Sequence, residues 1–404
     1  MTNAHMDHST PKLKIALGYF VFLLAALSML PAISVDVYLP SFNSLASDFG
    51  TNIRAIQQTL TIYLCAMAVM TLFHGTLSDS FGRRPVILLA LALYTLASLA
   101  AAFANSLLFL MLCRLLQGLS AGTGMVVGRA MIRDIFSGSK ATQVLSYVTV
   151  IFGIGPVFAP IIGGWLEHYL GWHSIFFFMA GFAIFLLITC GLHLPESLPP
   201  ESRHPLHLST TVRDYLKALA NRALILRSIA ISLATSLIYI YVTSAPVFIM
   251  ELLKLPETAF GWLFIPMVLG MMSGAFLSGR VAHTWRAKSI LVFGFTIIAI
   301  AGVWNISQAA LFPPSIPWSI LPIALQSFGI SFVTPQMTLH ALDALPERRG
   351  LASSLMAAFN LTCFSLCSGV LAPLLFQNTL RLALAAAICS LLSIFLTIYD
   401  AKTG

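Results

Sequence analysis

Two charged side chains stand inside long apolar runs, and what they can do frames the rest of the sequence. Arg114 lies in the run from Leu107 to Gly118. An arginine at the centre of a membrane span costs about 2.5–3.5 kcal/mol on insertion scales, so it is expected to face a partner or a cavity. The alternative is snorkelling, with the guanidinium reaching the nearer interface. Asp36, in Ser34-Val-Asp36-Val-Tyr38-Leu-Pro40, is the one acid placed within a span, and it is the expected partner of Arg114. Burial and a neighbouring arginine act in opposite directions on a carboxylate's hold on its proton. Such a pair can take up and release a proton as access alternates. The competing expectation is a solvated Asp36 capping the mouth of a first helix that Pro40 ends.

A second constellation is Gly75-x-x-x-Asp79-x-x-Gly82-Arg83-Arg84. It joins two apolar runs by a very short turn, where Gly82 can supply a positive φ. Asp79 can pair with the arginines, or sit at the positive N-terminal end of a helix from the other half of the chain, such as the one expected from Gly350 after Arg348 and Arg349. Either the cluster gates the two halves or it is a basic loop that only orients helices. Downstream of Arg114, Gln117-Gly118 and then Gly122, Gly124 and Gly128 give one helix a face without side chains, open to a close neighbour. A third pattern, Gly155-Pro156-Val-Phe-Ala-Pro160-Ile-Ile-Gly163-Gly164, frees backbone carbonyls and bends its helix, which suits a pivot.

These residues need elements to hold them, and the composition names the kind. Of 404 residues, 58% are hydrophobic and 9% charged, with a mean hydropathy of +0.90. Soluble domains carry about 25% charged residues, so an ordinary soluble enzyme is excluded, as is a disordered chain. The apolar runs exceed the 18 or so residues of a spanning helix. Twelve spans are predicted: Ile15–Leu39, then helices starting near Gln57, Pro85, Leu107, Gln143, His173, Leu224, Thr258, Ser289, Trp318, Gly350 and Leu380. The first run is too long for the apolar region of a signal peptide and reads as an uncleaved helix. With the N-terminus inside, eighteen of the 22 Lys and Arg residues fall on the inner side, three (Arg54, Lys254, Arg381) on the outer side, and Arg114 within a span. The positive-inside rule then places both termini in the cytoplasm. The net charge of +8 is therefore topological, and no nucleic-acid partner is expected.

The expected organisation is a tail over 1–14, a six-helix bundle over 15–194, a linker over 195–222, a second six-helix bundle over 223–399 and a tail over 400–404. The linker carries a basic amphipathic piece, Val212–Arg222, suited to the membrane surface. His204 and His207 in it read as polar loop residues, and no metal site is expected. The six cysteines all lie in apolar runs and read as packing residues. A faint repeat relates Gly75–Arg84 to Gly279–Lys288, with basic residues in register and His283 where the first half has Asp79. Paired halves around a midplane site are typical of secondary transporters. No Walker loop, GxSxG or HExxH occurs, so an enzyme is not expected and no cofactor is called for. An ion gradient would supply the energy. One proton across roughly 150 mV gives about 3.5 kcal/mol, enough for a gradient of a few hundred-fold.

Taken together these residues resemble the major facilitator superfamily. Gly75 to Arg84 looks like its loop 2–3 motif, Arg114-Leu-Leu-Gln117-Gly118 like the helix-four motif of its drug:proton antiporters, and the helix-five glycine–proline run like their antiporter motif. Asp36-Val-Tyr38-Leu-Pro40 and Gly171-Trp172-His-Ser-Ile-Phe176 resemble the Bcr/CflA subfamily, named for bicyclomycin and chloramphenicol resistance. The resemblance implies an all-α, twelve-helix, two-bundle rocker in a bacterial inner membrane that exports small amphipathic drugs in exchange for protons. It implies proton coupling at Asp36 and Arg114, gating at Gly75, Asp79, Gly82, Arg83 and Arg84, and a pivot at Gly155, Pro156, Pro160, Gly163 and Gly164. Tyr38, Tyr63, Gln117, Tyr239, Tyr241, Phe332, Gln336 and Asn360 are the candidates for lining the cavity. The chain is read as a monomer. A metabolite carrier of the same fold, for an amino acid, nucleoside or sugar, is the alternative. A non-transporting assembly factor or receptor would leave Asp36 and Arg114 buried without purpose.

Overall fold

The computed structural model describes residues 15–203 and 205–403. The tail with Lys12 and Lys14, His204 and Gly404 lie outside the described residues. Everything described is helix, turn or loop, with no strand among the described residues. The helices are α1 (Leu17–Asp36), α2 (Phe42–Asp48), α3 (Ile53–Phe81), α4 (Arg83–Ala102), α5 (Leu107–Ala121), α6 (Thr123–Ile135), α7 (Gly138–Phe152), α8 (Gly155–Leu170), α9 (Trp172–His193), α10 (Leu208–Leu219), α11 (Arg222–Thr243), α12 (Gly261–Val281), α13 (Ala287–Leu311), α14 (Leu321–Leu342), α15 (Arg349–Leu366), α16 (Ala372–Leu375) and α17 (Thr379–Thr403). Among the described residues, eleven helical segments are long and apolar enough to cross a membrane, several of them broken within the span. Thus α5 and α6 make one segment, hinged at Gly122, and α7 and α8 another, hinged at Gly153 and Ile154.

The twelfth expected span is α14. It has 22 residues, but Gln326, Ser327, Thr334, Pro335 and Gln336 dilute its apolarity. It can carry them because it packs between α12 and α13 and against α11, with Gln326 and Ser327 buried. Polar side chains inside a membrane are tolerated where they face protein. Side-chain caps mark several helix starts where the sequence offers them. Asn52 accepts from the Ala55 amide, Ser106 from Phe109, and Asn221 from Leu224.

Two expected boundaries move. Pro40 does not end the first span. α1 stops at Asp36, and Pro40 sits inside a 3-10 turn, Leu39–Ser41, that leads straight into α2. Pro is compatible with a first helical turn, where its missing N–H is not needed. The linker helix begins earlier than Val212 and stops at Leu219, before Asn221, whose side chain is committed to capping α11.

Helices α1 to α9 pack into one bundle and α11 to α17 into the other. They meet along α3 against α15 and α8 against α12. One end of the molecule carries the turn at Gly82, the linker with α10 and the segments 282–286 and 343–348; it holds most of the basic residues and is called the basic end below.

Candidate functional site

Arg114 is fully buried on α5. Its Nη1 donates to Gln117 Oε1 at 2.9 Å and its Nη2 to the Ser34 carbonyl of α1 at 3.2 Å. The guanidinium lies between two tyrosine faces, 4.5 Å from the Tyr38 ring centroid and 4.4 Å from that of Tyr63. Such cation–π contacts are worth about 2 kcal/mol or more when desolvated. The cage is itself braced. Tyr38 Oη bonds Thr59 Oγ1 at 2.7 Å, Tyr63 Oη donates to the Pro31 carbonyl, and Gln117 Nε2 donates to Ser98 Oγ at 2.7 Å. Ser34 and Tyr94 hydroxyls bond each other. Arg114 therefore does not snorkel; it is held inside the first bundle.

The expected ion pair with Asp36 is not formed. Asp36 is buried at the last turn of α1 and has no hydrogen bond or ion pair among the described residues. The helix supplies the reason. Two residues turn it by roughly 200°, so Ser34 and Asp36 leave opposite sides of α1. Ser34 takes the α4–α5 side, and its carbonyl, not the carboxylate, reaches Arg114. The bracing groups Ser34, Thr59, Tyr94 and Ser98 were not singled out from the sequence. Polar residues at helical spacing in apolar spans, two of them close to the arginine's own partners, were the available signal.

The expected close packing around α5 and α6 is present. A Cβ on Gly118 would strike the Tyr63 carbonyl of α3, and one on Gly124 the Leu27 carbonyl of α1. These two contacts wedge α1, α3 and α5–α6 together around the cage.

At the basic end, Gly82 has φ +97° and ends α3 against α4. Asp79 pairs with Arg83 of its own corner, not with the start of α15. Arg83, whose side chain is 7% exposed, also bonds Asp134 of α6 at 3.0 Å and Ser78 at 2.7 Å. Asp134 in turn accepts from Ser197 Oγ at 2.8 Å. Glu196 of the linker accepts from the backbone N–H groups of Arg83 and Arg84, closing the N-terminus of α4 with a carboxylate. Arg84 reaches the Gly191 carbonyl of α9. Gly75 has open space around it and is under no steric demand. The cluster thus locks α3, α4, α6 and α9 within one bundle. Contact with the other bundle at this end runs through α10: Asp214 pairs with Arg348 at 3.0 Å, and Tyr215 Oη donates to the Leu72 carbonyl of α3 at 2.9 Å.

At the opposite end the bundles seal directly. Gly163 lies on the Val37 carbonyl just after α1, within its own bundle, and Gly164 on the Glu257 carbonyl of the other bundle; a Cβ at either would strike backbone. Pro156 sits in the first turn of α8 and Pro160 inside it, while Gly155 faces Met29. His168 Nδ1 meets Glu257 at 2.8 Å. Gln57 donates to the Thr243 carbonyl at 3.2 Å and to Ser368 at 3.1 Å, and Gln58 to the Gly369 carbonyl at 3.2 Å. Of these seal residues only the glycines stood out in the sequence. Gln57, Gln58, His168 and Glu257 come together only through the fold.

The cavity candidates divide. Tyr38, Tyr63 and Gln117 belong to the arginine cage. Tyr239 stacks on Phe364 of α15, with centroids 4.2 Å apart, close to the bundle interface, and Asn360 on α15 is half-buried. Three do not face the interface. Tyr241 is turned into its own bundle, bonded by Asn305 at 2.8 Å. Phe332 packs on Phe293 and Trp285 beside α13. Gln336 lines a crevice on the periphery. An aromatic or amide in a span can face its own bundle or the interface, and the sequence does not distinguish the two.

Two bundles of membrane-length helices that meet at two helix pairs are the architecture of a multi-pass membrane protein. The fold is shared with solved structures such as a POT family transporter in complex with 5-aminolevulinic acid, at TM-score 0.73 and 12% identity over 96% of both chains. Residues 15–372 match the model of the Major Facilitator Superfamily, and the chain belongs to that family. It is a transporter and not an enzyme. It is 28% identical over 395 residues to the Bicyclomycin resistance protein homolog of Haemophilus influenzae, covering 95% of this chain and 97% of the relative. It is 29% identical over 323 residues to the Multidrug resistance protein MdtL of Shewanella oneidensis, covering 80% of each.

Proposed function

We propose that the protein exports small amphipathic drugs, chloramphenicol- or bicyclomycin-like, in exchange for protons across a bacterial inner membrane, as a monomer with both termini cytoplasmic. The likeness to drug-resistance proteins over nearly the whole length supports the substrate class. The observation that carries the coupling is Asp36, buried and without a hydrogen bond or ion pair among the described residues, in the same bundle as the buried, caged Arg114. A carboxylic acid can stay buried without a partner when it holds a proton, but a carboxylate cannot without a cation or water. Arg114, held by neutral groups only, is the charge nearest in the chain of contacts, through Ser34. Movement of α1 against α5 alters the separation of the two, and with it the ease of releasing the proton. The seal at Gly164 and His168–Glu257 is the barrier on the outer side, and the basic end, which α10 bridges through Asp214–Arg348 and Tyr215, is the cytoplasmic side.

The test uses energised inverted membrane vesicles. Chloramphenicol, a bicyclomycin-like compound or a cationic dye should release protons from wild type, and Asp36→Asn should abolish the release. An unchanged response in Asp36→Asn sinks the assignment of Asp36. No response to any compound from well-expressed wild type favours the metabolite exporter.

A further inference from the structure

A large cavity lies on the rim of the second bundle, away from the bundle interface. It has a volume of about 1060 Å³ and is bounded by α11, α13, α14 and α17. That is just above the range of about 300–1,000 Å³ found for small-molecule sites. Its body is apolar, from Leu291, Phe295, Ala299 and Ile394. Val292, Leu339 and Ile398, also on its wall, are more than half exposed. In a chain of eleven apolar candidate spans, that exposed rim faces lipid.

The basic end of the crevice is charged, and its charges are not all answered. Arg227 Nε bonds Asp400 at 2.8 Å and its Nη1 the His340 carbonyl at 2.7 Å. His340 Nδ1 lies 3.7 Å from the same Asp400. Asp343 is paired with Arg349 at 3.0 Å. Both carboxylates at the site therefore already hold a guanidinium. Lys288 of α13 and Lys402 of α17 also line the crevice, from two different walls, and neither has an ion pair among the described residues. An apolar slot that opens towards lipid and ends in two unanswered ammonium groups matches an amphiphile with an anionic head and a hydrocarbon body. A cationic drug would meet the wrong sign.

We infer that this crevice binds an anionic phospholipid of the leaflet at the basic end, with its phosphate on Lys288 and Lys402 and an acyl chain between α13 and α17. Basic pockets between membrane helices recognise anionic headgroups in this way, each lysine contributing about 1 kcal/mol. The inference needs only that the protein is embedded in a membrane. It is independent of the drug-export reading, and its test does not measure transport.

Purified full-length protein, stripped of lipid in a neutral detergent, is titrated with phosphatidylglycerol or with phosphatidylcholine of the same chains and read by native mass spectrometry. Phosphatidylglycerol should be retained in preference to phosphatidylcholine. Lys288→Gln with Lys402→Gln should weaken phosphatidylglycerol binding by about 30-fold and remove the preference. Ala299→Trp, which fills the slot without altering charge, should weaken both lipids. Equal retention of the two lipids by wild type overturns the inference, as does wild-type retention of phosphatidylglycerol by both variants. The lysines are exposed, so the charge variant tests the headgroup without disturbing the core, and the wild-type preference stands as a test that needs no variant.

Discussion

The two halves repeat a basic turn after their second helix, and the structure builds the two turns differently. Between α3 and α4, the turn at Gly82 is a closed corner: Arg83 is buried on Asp79 and Asp134, and Glu196 covers the start of α4. Between α12 and α13 the corresponding residues are exposed. Arg280 lies over the Phe276 ring at 5.2 Å, and neither it, Arg286 nor Lys288 has an ion pair among the described residues. The arginines and lysines are in register; the acids are not. Basic residues alone place a turn on one side of a membrane. A carboxylate in reach converts the same turn into a fixed joint. Where it is missing, the cations stay available, and Lys288 is the one that lines the lipid-facing crevice.

Breaking the closed corner should have the largest effect. Arg83→Ala removes the bonds to Asp79, Asp134 and Ser78, and since Asp79 is half exposed and can be hydrated, the expected loss is about 2–3 kcal/mol. Arg286→Ala in the open turn should stay within about 0.5 kcal/mol. Unfolding of the purified proteins in mixed micelles measures both, and equal losses would erase the contrast. Glycine substitution should then give opposite signs. Gly82→Ala forces a side chain into φ +97° and against Glu196 and Arg203, at a cost of about 1–3 kcal/mol. Gly279→Ala, with nothing near its Cβ inside α12, should stabilise by about 0.5–1 kcal/mol. A loss at Gly279 would mean the open turn hides a packing demand. The smallest effect sharpens the comparison. His283→Asp supplies the second turn with the acid it lacks, and a gain of at most about 1 kcal/mol is expected for so exposed a pair. A gain approaching that of the buried corner would show that the acid, and not burial, makes the joint.

Much of the architecture was readable because membrane spans are long and their apolarity is cumulative. Every expected start falls within a few residues of an observed helix, even for α14, which its polar residues nearly disguise. Gly82 and its pairing of Asp79 with Arg83 were readable for a local reason, since both lie within one turn of sequence. What depends on rotation about a helix axis was not. Asp36 and Arg114 share a bundle, yet the guanidinium is reached by the Ser34 backbone carbonyl and not by the carboxylate two residues on. Asp134 and Glu196, more than fifty residues from Arg83, carry no mark in the sequence of the corner they complete. Tyr241, Phe332 and Gln336 were misplaced for the same rotational reason: their spans are right and their faces are not.

The linker deserves a mechanical reading. Glu196 ties its beginning to α4, and α10, near its end, is fastened to α3 through Tyr215 and to the residue before α15 through Arg348. The start of the linker is itself folded back, with the Leu198 N–H on Glu196, a 3-10 turn over Pro200–Ser202 and Arg203 3.7 Å from Glu196. The connection between the bundles is thus a short cord with a stiff toggle on its end, not a loose leash. Added length should be absorbed quietly before the toggle and felt at once between Leu219 and Arg222, where the chain passes from α10 directly into the second bundle.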